Sequence, residues 1–83
     1  LGMSFKENNK KVLQVLFEGY PKFMSARRVL ELAGVPESEQ QKAVFYLNES
    51  GLVLTTAAKR SDEVPLNADY RITAKGIDFI LED

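Results

Sequence analysis

The run Ala43-Val44-Phe45-Tyr46-Leu47-Asn48-Glu49-Ser50-Gly51-Leu52-Val53 decides how this chain is read. Ala43, Val44 and Leu47 recur at helical spacing and mark the inward face of an amphipathic helix. Gly51 ends that helix, because glycine enters the left-handed backbone region without a Cβ clash. Leu47 and Leu52 bracket the glycine, so a sharp turn returns both leucines to one core. Leu52 to Ala57 is rich in β-branched and apolar residues and short enough for a strand.

Upstream, the same helix is expected to start near Pro36 or Ser38 and to reach Ser50. Glu37 and Glu39 suit its positive amino-terminal end. Ser25 is positioned to cap a shorter helix with the stripe Ala26, Val29, Leu30 and Ala33, and Gly34 is its left-handed stop. Val35 precedes Pro36 and avoids helical backbone, so a turn of roughly three or four residues separates the two helices. Ser4-Phe5-Lys6-Glu7 has the form of a capping box. It opens a helix over residues 5–18 whose Phe5, Val12, Leu13, Leu16 and Phe17 share one face, with Asn9 filling the gap in the stripe. Gly19 and Pro21 close it.

Downstream, Lys59 to Asp69 holds charges, Pro65 and Asn67 and reads as a loop. Tyr70-Arg71-Ile72-Thr73 alternates and reads as the returning strand of a hairpin. Thr73 is placed to cap a last short helix that turns Ile77, Ile80 and Leu81 to the core. Gly76 costs that helix about 1 kcal/mol against alanine, and a close neighbouring backbone would account for it. The expected architecture is α+β: a three-helix bundle, a two-stranded hairpin and a short C-terminal helix, in one domain over residues 3–83. Leu1 and Gly2 read as additions ahead of a natural start at Met3.

Composition narrows the chemistry. The 83 residues include no cysteine and no histidine, which excludes disulfides, thiolate metal sites and the commonest general base. The carboxylate pairs Asp62-Glu63 and Glu82-Asp83 lie in a loop and at a terminus, where water keeps both members ionised. No glycine-rich phosphate loop is present. No enzyme activity, cofactor or metal is expected. No apolar run is long enough for a signal peptide or a membrane span, so residence in the cytoplasm is the default. The net charge is −1, but it is uneven: residues 1–35 carry six basic and three acidic groups, whereas residues 36–54 and 55–83 are each net acidic.

The order of elements, the run from Ala43 to Val53 and the run Tyr70-Arg71-Ile72-Thr73-Ala74-Lys75-Gly76-Ile77-Asp78-Phe79-Ile80 resemble the winged helix-turn-helix domain of MarR-like and PadR-like bacterial transcription regulators. The likeness covers nearly the whole chain, although the third helix here is poorer in lysine and arginine. It implies a small regulator of bacterial or phage type that binds double-stranded DNA, with a homodimer needed for useful specificity. The alternative is a protein–protein interaction module on the same scaffold, since fold does not fix function.

Under the DNA-binding reading, Ser38, Gln41, Lys42 and Phe45 form the exposed side of the third helix, opposite the Val44–Leu47 stripe. Glutamine can pair with adenine through two bonds, and lysine can reach guanine or phosphate. Phe45 could touch a thymine methyl; burial in the core or self-association is the simpler account of it. Lys59, Arg60 and Arg71 would meet phosphates or the minor groove from the wing, partly opposed by Asp62 and Glu63. Arg27 and Arg28, beside Lys22, would cross the backbone, and with Lys10 and Lys11 they supply most of the amino-terminal basic surplus. Each group is equally accounted for as an ordinary solvated face.

Overall fold

The computed structural model describes residues 4–56 and 66–82. Four helices and three strands follow in the order α1 (Phe5–Glu18), β1 (Met24–Ser25), α2 (Ala26–Ala33), α3 (Glu37–Glu49), β2 (Val53–Thr55), β3 (Asp69–Ile72) and α4 (Ala74–Leu81). The class is α+β, with the helices and the returning strand where the sequence places them.

The sheet corrects the two-stranded hairpin. It has three antiparallel strands in the order β1-β3-β2, because Met24 and Ser25 pair with Tyr70 and Asp69. On the other side of β3, Val53, Leu54 and Thr55 pair with Ile72, Arg71 and Tyr70. The added strand also changes how α2 begins. Ser25 stands at the cap position but makes no side-chain capping bond. The Ala26 N–H donates to the Ala68 carbonyl at 3.0 Å, so the strand side of the fold satisfies one of the orphan donors at this helix end.

Two helix ends use one device. Gly34 and Gly51 both have positive φ, 72° and 76°. Past Gly34, Val35 N–H donates to the Leu30 carbonyl; past Gly51, Leu52 N–H donates to the Leu47 carbonyl. Each is the six-to-one bond of a Schellman motif, and its hydrophobic pair is buried in both cases: Leu30 with Val35, Leu47 with Leu52. The residues bracketing Gly51 therefore do meet in the core. Between the two helices lie residues 34–36, and the Gln40 amide nitrogen donates to the Val35 carbonyl at 3.1 Å, bracing the turn.

The core gathers Val12, Leu13 and Leu16 of α1, the α2 stripe, Ala43, Val44 and Leu47 of α3, and Leu52, Val53, Tyr70 and Ile72 around the sheet. Burial pushes the Tyr70 hydroxyl up from its ordinary range, against a smaller opposing effect of its hydrogen bond with the Thr55 side chain. Ile77 and Ile80 pack against this core. Leu81 does not: it is 65 % exposed, because the eight-residue α4 turns its last position outward. On α1 the apolar stripe is wider than the core it faces. Phe5 and Phe17 stand at its margins, each 39 % exposed, whereas Asn8 and Asn9 are buried.

The capping box forms as expected. Ser4 Oγ accepts from Glu7 N–H at 3.2 Å, and Glu7 Oε1 accepts from Ser4 N–H at 3.0 Å. The bond from the Ser4 backbone, then the Ser4 hydroxyl, holds the Glu7 carboxyl below its usual range. A depressed carboxylate pKa contributes stability above the unfolded value and loses it as pH falls through the folded one. Ser4→Ala is accordingly expected to cost about 1 kcal/mol near neutrality. Urea titrations of both proteins across the acid range should show that difference shrinking below the ordinary carboxylate range. A pH-independent difference would mean that the Ser4 hydroxyl takes no part in holding the Glu7 charge.

Candidate nucleic-acid interface

α3 owes its outward face to the same periodicity that buries Ala43, Val44 and Leu47. Ser38, Gln41 and Lys42 are exposed on it. Lys42 Nζ lies 3.8 Å from Glu39 Oε2, with side-chain exposures of 69 % and 33 %, a pairing too solvated to hold the ammonium away from a stronger partner. Phe45 differs from its companions. It is half-buried against the core, and its neighbour Tyr46 faces outward at 42 % exposure instead. One step of about 100° from the buried Val44 puts Phe45 on the flank of the inward stripe, where its ring packs partly against the core.

Arg27 and Arg28 are exposed in the first turn of α2. Lys59 and Arg60, with Asp62 and Glu63, lie outside the described residues. Arg71 is not a free wing cation. It is half-buried, its guanidinium sits 5.9 Å from the Tyr20 ring centroid and 5.8 Å from that of Phe23, and Nη1 donates to the Ile72 carbonyl at 3.3 Å. Guanidinium held between two rings keeps its charge while its stem is fixed. Tyr20 and Phe23 were not singled out by sequence reasoning. Their only signal is two aromatics in a polar turn, which periodicity does not score.

The electrostatics of α3 are mixed. Glu37 and Glu39 occupy its first turn, where the helix dipole favours them, and Glu49 sits in its last. Lys42 is the one basic side chain on the helix, and the exposed Arg27 and Arg28 stand on α2, the helix before it in sequence. Among the described residues no group of carboxylates forms a metal site, and no helix is long and apolar enough to cross a membrane. Comparisons of the chain with protein families, with curated proteins and with solved structures find no match.

Proposed function

We propose that this protein is a winged-helix DNA-binding module of the regulator type, docking α3 in a major groove with α2 across the adjacent backbone. The observation that carries the reading is the unit α2, Gly34-Val35-Pro36, α3: a tight, internally braced turn between two helices. The second of them presents Ser38, Gln41 and Lys42 outward. Those side chains suit limited base reading, and Arg27, Arg28 and Arg71 suit phosphate. The antiparallel β2–β3 pair is compatible with a wing. One such module has little contact area, so a homodimer on two half-sites would supply specificity.

The test is retardation of duplex DNA as a function of salt. Binding at low salt should weaken steeply as salt rises, and Arg27→Ala with Arg28→Ala should reduce the slope by about one unit per lost phosphate contact. Failure to retain any duplex at low salt would overturn the reading. The second reading, a protein-contact module, is favoured by one observation: the carboxylates Glu37, Glu39 and Glu49 outnumber the single Lys42 on α3. It predicts that neutralising Lys59 and Arg60 leaves the partner's affinity unchanged.

A further inference from the structure

Tyr70 and Ile72 of β3 and Val53 of β2 are buried in the core. The alternation of a strand therefore sends Arg71 and Leu54 to the opposite, outer face of the sheet, where the two are register partners. On the other side of β3, the pairing of Met24 with Tyr70 sets Phe23 level with Arg71, and the Phe23 ring centroid is 5.8 Å from the guanidinium carbon. Tyr20 brings a second ring to the same group, at 5.9 Å. A row of Phe23, Arg71 and Leu54 thus crosses the outer face, with Tyr20 beside the cation. The two rings stay 43 % and 42 % exposed, so the guanidinium leaves much of their surface open.

We propose that this outer face binds a single-stranded nucleic acid, stacking unpaired bases on Tyr20 and Phe23 and holding phosphate at Arg71. A guanidinium carries five N–H donors. The Ile72 carbonyl takes one from Nη1, and the others suit phosphate oxygens. Lys22 is exposed in the turn between the two aromatics, and Arg27 and Arg28 are exposed in the first turn of α2, directly after β1. Asp69 shares the outward alternation of β3 and opposes them with one negative charge. Rings interleaved with cations match a single strand in both of its parts: every base has a face to stack, and every link has a charge to neutralise. A duplex keeps its base faces inside its own stack, so the rings select an unpaired strand. An acidic peptide would answer the cations but offer the rings few flat partners.

The docking of α3 on duplex DNA is not needed here. A short fluorescein-labelled thymidine strand would be titrated with the chain at low salt and followed by anisotropy, beside an abasic strand of equal length. The thymidine strand should bind at least about fivefold more tightly, the least that stacking one base is worth. Phe23→Leu and Tyr20→Leu keep apolar bulk and remove the ring; each should lower that affinity about fivefold or more and affect the abasic strand less. Arg71→Gln should weaken both strands and reduce the salt slope by about 0.7. Gln41→Ala with Lys42→Ala on α3 should leave the thymidine strand bound as before, so a failure of the α3 reading shows separately, with duplex. The comparison of strands uses the native chain and stands whether or not a variant folds. Equal affinity for the two strands, or no binding at low salt, would overturn the proposal. Displacement of the strand by polyglutamate as readily as by unlabelled thymidine strand would overturn it in favour of an acidic protein segment. Self-association that Phe23→Leu abolishes would overturn it in favour of a second copy.

Discussion

Leu47→Ala is expected to remove about 3–4 kcal/mol of stability, in the upper part of the range for a buried leucine truncated to alanine. Leu47 is 1 % exposed and forms the hydrophobic half of the α3 stop with Leu52. It also borders a void of about 10 Å³ lined only by the core side chains of α1, α2, α3 and the sheet. That space is at the lower limit for one water molecule, and its apolar lining offers a water no partners. Truncation would join the lost side-chain volume to existing empty space, and the cost of a cavity grows with its volume. A domain of this length holds about 4–12 kcal/mol in all, so most of the margin would go. Urea unfolding followed by far-ultraviolet circular dichroism gives the value directly. Leu54, on β2 and 45 % exposed, is the control: Leu54→Ala should cost within about 0.5 kcal/mol. A loss below about 1 kcal/mol at Leu47 would contradict the packing described.

Gly76→Ala comes next, with an expected net loss of about 2 kcal/mol, although alanine is normally the better helix former by about 1 kcal/mol. A Cβ at this position would overlap the Leu52 carbonyl oxygen and lie 2.6 Å from Ile72 Cγ1. Neither neighbour can yield cheaply. Ile72 is fully buried, and the Leu52 carbonyl already accepts from Thr73 N–H at 3.0 Å. Thr73 in turn donates its hydroxyl to the Gly51 carbonyl at 2.8 Å and accepts from Gly76 N–H at 3.0 Å. Shifting any member disturbs the α3–β2 turn and the start of α4 together. At Gly34 a Cβ would meet nothing within 4 Å, so Gly34→Ala should cost only the left-handed strain of about 1–2 kcal/mol. Thermal denaturation of both variants checks the mechanism. If Gly76→Ala proves as stable as the native chain, α4 does not sit against the Leu52 carbonyl.

The features that sequence predicts well here are those with a local cause. Gly34, Gly51 and the Ser4 capping box each act within a few residues of themselves, and each appears where expected. The odd glycine in α4 pointed correctly to a close backbone. β1 was not legible: a strand of two residues has no alternation to detect, and it exists only because β3 lies beside it. Asn9 fell in the apolar stripe by periodicity and is buried there, whereas the burial of Asn8 was hidden, since it depends on what packs against α1 rather than on α1 itself. The candidate site residues divide in the same way. Ser38, Gln41 and Lys42 followed from periodicity, whereas the half-burial of Phe45 and the clasp of Arg71 between Tyr20 and Phe23 depend on tertiary neighbours.

Because β3 runs between β1 and β2, the middle of the sheet is translated after both of its flanks. A nascent chain that has emerged through Thr55 therefore holds two strand-forming segments with no partner, each a possible template for a neighbouring polypeptide. Their brevity, two residues and three, limits that hazard on the ribosome. The hydrogen-bonded ladder closes only when Asp69–Ile72 has been synthesised.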